Sequence, residues 1–182
     1  MGDFARIYKN ELDDAELMRF WAQALEAGRG RAIGYDMPPM DGPAFCRWLR
    51  QGGVHPWLVT HRGEAVGLYY LTGLQGRSAQ VHFLTLPCGT RRTAARLPLP
   101  VAAGLFALGS SLWERRGSFV LDTLIGVTPA TFGPALRFVK RLGGEACGTV
   151  PGLCWLFDSD RNVPGIVTVF NRTAVPAWTA QL

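Results

Sequence analysis

The stretch from Phe119 to Gly152, FVLDTLIGVTPATFGPALRFVKRLGGEACGTVPG, constrains the fold most. The β-rich apolar run Phe119 to Ile125 reads as a central strand covered on both faces. Thr128-Pro129 then signals a turn or a cap. Pro134 fits only the first turn of a helix, because proline deeper inside one costs about 3 kcal/mol. The regular helix is therefore expected to start near Pro134, with Thr131 to Gly133 as its cap region, and to end at Gly143. A second strand follows from Gly144. Strand, short helix and strand in this order need a sheet to pack on.

The rest of the chain supplies that sheet. Phe4 to Tyr8 alternates as a short strand. Asn10 offers an N-cap, with Glu11, Asp13 and Asp14 in the first turn of a helix whose apolar stripe is Leu12, Leu17, Phe20, Trp21 and Leu25. Gly28 and Gly30 end it. After Pro38 and Pro39, a second helix spans Gly42 to Arg50. Strands are expected at 56–61, 65–72 and 79–86, with turns at Arg62-Gly63 and Gln75-Gly76 that make them antiparallel neighbours. Pro100 opens an apolar helix to about Glu114. The last pair of strands, 144–157 and 166–170, is joined through Asp158 to Asn162. These elements predict one α/β domain over residues 1–172, a mixed and mainly antiparallel sheet of six to seven strands with helices on both faces. Residues 173–182, with Pro176 and Trp178, form a tail free to pack on a second copy as a homodimer.

Composition excludes several classes. The chain has 182 residues and a net charge of +5, which favours anionic partners or reflects a mildly basic surface. No aromatic-basic interleaving suggests a nucleic-acid platform. The longest apolar run, Leu97 to Leu112, is too short and too interrupted for a bilayer, and Asp3 and Arg6 do not fit a signal peptide. Cys46, Cys88, Cys147 and Cys154 have no CxxC spacing, so reduced, mostly buried thiols in a cytoplasmic protein are expected, with no metal site. There is no nucleophile elbow, Walker loop or dinucleotide fingerprint.

The element order, with the 119–152 segment, resembles the GNAT (Gcn5-related N-acetyltransferase) superfamily over roughly residues 4 to 172. The family's motif helix carries Asn, then Ala, then Tyr four residues later, and ends in Gly-Phe. Ala135, Leu142 and Gly143 fall into register, while Phe132, Val139 and Gly144 take the Asn, Tyr and Phe positions. The family tyrosine usually protonates the departing CoA thiolate. Val139 cannot, and losing a positioned general acid costs roughly 10²–10⁴ in rate. Tyr69, Tyr70 or Cys88 could stand in.

The resemblance implies acyl transfer from acetyl-CoA to the amine of a small molecule or peptide. The main chain of Leu84, Thr85 and Leu86 would polarise the thioester carbonyl. The loop PCGTRRTAARLPLP would hold the pyrophosphate through Arg91, Arg92, Thr93, Ala94 and Ala95, although the family's paired glycines are missing. The alternative is that Arg91, Arg92 and Arg96 are a solvated cluster. Thr131, at the motif helix, completes the expected cofactor set. His82 could act as a general base or be a half-buried structural histidine. Asp122, inside an apolar strand, could orient the amine or bond a backbone N–H or an arginine. Tyr35, Asp36, Met37 and Met40 lie on the loop that shapes the acceptor pocket in relatives, where they either line a site or cap the core. A second function follows from the missing motif residues: a GNAT-like fold without catalysis, acting as a binding or assembly protein.

Overall fold

A computed structural model describes residues 4–8, 11–32, 34–87 and 121–171. The expected 100–114 helix, the phosphate loop and the 173–182 tail lie outside them. Seven strands form one sheet in the order β1-β2-β3-β4-β5-β7-β6. These are β1 Phe4–Tyr8, β2 His55–His61, β3 Glu64–Gln75, β4 Ser78–Thr85, β5 Thr123–Pro129, β6 Glu145–Leu156 and β7 Arg161–Asn171. Every pairing is antiparallel except β4 with β5.

Helix α1, Asp14–Glu26, starts later than the acidic run suggests. Asp13, not Asn10, caps it by accepting from the Ala15 N–H. Helix α2, Gly42–Leu49, is capped by Asp41, whose carboxylate accepts from the Ala44 N–H at 2.8 Å. Both helices cover one face of the sheet, where Leu17, Phe20, Phe45 and Leu49 pack on Leu58, Leu68, Tyr70, Leu84 and Leu86. Trp21 stacks on Phe45 with ring centroids 4.2 Å apart. Leu25 is exposed, and Ala24 takes its place in the buried stripe.

The other face carries helix α3, Gly133–Arg141. Val139 and Leu142 pack there against Trp57, Tyr69, Leu71, Val81, Leu124 and Phe170. The helix begins where Pro134 requires. Gly143 follows the Leu142 C-cap with φ of 81°, a left-handed turn that glycine adopts without steric cost. The preceding strand sits about four residues later than the apolar run indicates. Thr128 and Pro129 belong to β5 rather than to a helix cap, and Asp122 lies before the strand. The reason is pairing: Thr123 to Pro129 match Asn171 to Gly165 residue for residue. Strand β7 begins at Arg161, ahead of the expected start, after a short 3-10 turn at 157–159 and Asp160 at φ of 48°.

Candidate functional site

The parallel contact between β4 and β5 is brief. Ser78, Ala79 and Gln80 pair with Thr123, Leu124 and Ile125, and the ladder stops there. Beyond it the strands diverge around a cleft of about 120 Å³. Leu84, Leu86 and Leu124 do not fill this gap. The first two belong to the α1–α2 core and the third to the α3 core.

Ladder alternation tells which main-chain groups face the opening. Leu86 donates its N–H to Val66 O at 3.0 Å. The β3–β4 register is unbroken from Gly67↔Thr85 to Thr72↔Gln80. In an antiparallel ladder every second residue is bonded to the neighbouring strand. Leu84 and Leu86 therefore spend their N–H groups on β3, while Phe83 and Thr85 direct theirs toward β5. On the other side, the Ala130 N–H donates to Pro164 O, so even-numbered residues of β5 face β7 and Val127 faces the cleft. Among the described residues no strand pairs with Phe83 or Thr85 on that side. Such exposed donors are the raw material of an oxyanion site.

The side chains divide the cleft into two ends. Ala135, Phe138 and Val139 of α3 make an apolar wall on one face of the sheet. Arg29, Tyr35 and His82 make a polar one, with His82 on the strand face that also carries Leu84 toward α1 and α2. Phe132, at the α3 N-terminus, meets Tyr35 edge-on at 5.9 Å and provides no side-chain cap.

His82 is held tightly. Its Nε2 lies 3.0 Å from Thr72 Oγ1, and its ring stacks on Tyr70 at 4.4 Å. Burial pushes its pKa down to about 4, so the imidazole is neutral at physiological pH. Burial, then the neighbouring Cys154 thiol, holds the Tyr35 phenol well above the ordinary tyrosine range. The loop that carries Tyr35 is pinned. Arg31 donates to Gly34 O and Met37 O at 3.2 and 2.8 Å and pairs with Asp158, and the Phe157 N–H donates to Tyr35 O at 2.7 Å.

Other candidates are scattered. Asp122 sits at the closed end of the β4–β5 pair, half-exposed, bound to Arg77 at 2.5 Å, and does not meet His82. Thr131 is exposed in the β5–α3 turn, outside the cleft wall. Tyr69 is buried in the α3-side core, and Tyr70 in the α1–α2 core. Met40 caps the core, its carbonyl accepting from Trp21 Nε1–H at 3.0 Å. Arg91, Arg92, Thr93, Ala94, Ala95 and Cys88 lie outside the described residues. A Cβ on Gly144 would approach Val139 and Phe170 to 2.8 and 2.9 Å, so this chain has no room for the family's phenylalanine there. Arg29 escaped sequence reading, although the flanking Gly28 and Gly30 mark a tight helix exit. Phe83 and Val127 escaped it because main-chain exposure leaves no trace in side-chain type.

Splayed central strands, antiparallel flanks and helices on both faces define the GNAT acyl-CoA N-acyltransferase fold. The chain matches spermidine N-acetyltransferase from Vibrio cholerae in complex with CoA and spermine at a TM-score of 0.70 and 12% identity, covering 97% of this chain and 99% of that one. A dodecameric structure of that enzyme matches at 0.65 and 11%, covering 96% of each. The structure of yncA from Salmonella typhimurium with its cofactor acetyl-CoA matches at 0.65 and 11%, covering 93% and 94%. No family model and no curated protein matches the sequence. Among the described residues no helix is long and apolar enough to cross a membrane, and no group of His, Cys, Asp or Glu could hold a metal ion.

Proposed function

We propose that this protein is an acyl-CoA-dependent N-acyltransferase. The observation that carries the reading is the interrupted β4–β5 ladder, with the main chain of Phe83, Thr85 and Val127 turned into the gap. An apolar wall and strand donors that no described strand takes up fit a pantetheine arm, and the structural neighbours solved with CoA and acetyl-CoA support the same cofactor. Bound acetyl-CoA supplies an acyl group activated as a thioester. The N–H groups of Phe83 and Thr85 polarise the carbonyl, which narrows the 84–86 set to Thr85 and adds Phe83. Neutral His82 accepts the amine proton, directly or through water. Val139 has no proton to give. Tyr35 is the phenol of the cleft wall, keeps its proton at neutral pH, and is assigned the donor role. Arg91, Arg92 and Thr93 to Ala95 are assigned to the pyrophosphate.

Titration calorimetry with acetyl-CoA, followed by thiol release with a panel of amines, tests this. No binding at millimolar cofactor refutes the reading. Binding without turnover on any amine supports the second reading, a cofactor-binding protein without catalysis, which the Val139 substitution favours. Exposed Val150, Leu153, Trp155 and Phe157 on and beside edge strand β6 support self-association, readable by size exclusion. Free Cys46, Cys147 and Cys154 fit a reducing, cytoplasmic setting.

A further inference from the structure

We infer that the acceptor is an amine that also carries a carboxylate, and that Arg29 is the residue that selects it. This rests on the acyl-transfer reading above and adds the substrate class. Among the described residues of the cleft wall, Arg29 is the one formal charge, and no aspartate or glutamate lines the cleft. Asp36, next to Tyr35 in the chain, is exposed and outside the wall, and its charge reaches the Tyr35 phenol only as a minor influence behind burial and Cys154. No ion pair to Arg29 exists among the described residues.

Its backbone is fixed from both sides. The Arg29 N–H donates to Ala24 O at 2.7 Å and closes the exit of α1. Gly28 is left-handed at φ of 67°, and a Cβ on Gly30 would come within 2.6 Å of the Leu25 side chain. Arg29, an exposed residue, thus stands at the polar end of the cleft with Tyr35 and His82. An amine approaching His82 from that end brings its substituents to Arg29. A second ammonium there meets the like charge of Arg29, and among the described residues no acid of the cleft wall offsets it. A carboxylate meets a planar donor fork that binds it through two parallel hydrogen bonds. One guanidinium matches the single charge of a carboxylate and leaves a phosphate dianion half-neutralised.

The class therefore departs from the polyamine of the spermidine N-acetyltransferase it resembles in fold. The test compares thiol release from acetyl-CoA with the common amino acids, the corresponding amino-acid amides, and spermidine. The best amino acid should exceed both its own amide and spermidine in kcat/KM. Arg29→Ala should lower the acid-to-amide ratio about ten- to a hundredfold, mainly through KM, and Arg29→Lys should restore part of it. Calorimetry with acetyl-CoA runs on each protein. Cofactor binding together with a preference for spermidine, or a ratio that Arg29→Ala leaves unchanged, overturns the carboxylate assignment while the transferase reading stands. Absence of cofactor binding overturns the transferase reading itself.

Discussion

His82 makes the fold sensitive to acid in a way that can be measured. The ring is neutral in the native state because burial pushes its pKa from 6.5 to about 4. In the unfolded chain it titrates near the ordinary value of about 6.5. Between those two values the unfolded state binds the extra proton, so stability falls as pH falls. The contribution is complete above about pH 6.5 and is lost progressively toward pH 4. A gap of 2.5 pH units, from 6.5 to about 4, corresponds to roughly 3 kcal/mol at about 1.36 kcal/mol per unit. The ring keeps some solvent contact, which screens part of this and leaves about 2–3 kcal/mol. The assay is urea unfolding of wild type and His82→Gln from about pH 7.5 down to pH 4. Groups common to both proteins cancel in the difference. The wild-type advantage over the variant should shrink by about 2–3 kcal/mol across that range. Parallel curves would refute a buried imidazole whose charged form is disfavoured.

Other perturbations probe the cleft and its supports. Ala135→Phe places a ring in the apolar wall of the cleft. It should weaken acetyl-CoA binding at least about tenfold, as read by calorimetry, at little cost in melting temperature; unchanged affinity would remove the wedge from cofactor binding. Gly126→Ala would put a Cβ 2.7 Å from Thr168 Oγ1, a buried hydroxyl that donates to Gly126 O. It should destabilise by about 1–3 kcal/mol in urea unfolding, and a neutral result would contradict the close β5–β7 packing. Arg31→Ala removes the donors to Gly34 O and Met37 O and the pair with Asp158. It should speed limited proteolysis near Tyr35 and lower turnover more than cofactor affinity, because the loop serves the polar end of the cleft. Asp41→Ala deletes the α2 cap and should cost about 1 kcal/mol in thermal unfolding.

Local chemistry was legible where it acts on its own neighbours. Pro134 and Gly143 bounded α3, α2 ran from Gly42 as read after Pro38 and Pro39, and Gly63 and Gly76, both at positive φ, turned the strands where the dipeptides indicated. Alternating apolar residues placed β2, β3 and β4 to within a few positions. The sheet, its helices on both faces and the acyltransferase-like fold followed from that order. Positions decided by pairing were not legible. Strand β5 slid onto its β7 register, which moved Asp122 out of the strand and into a pair with Arg77. The cleft exists only because two strands far apart in sequence stop pairing after three residue pairs. The exposure of the Phe83 and Thr85 N–H groups depends on which neighbour takes the alternate bonds, and no side chain encodes that. Arg29, Tyr35 and His82 come from a helix exit, a loop and a mid-strand position, and only the packing of α1 and the β6–β7 junction on the sheet brings them to one opening.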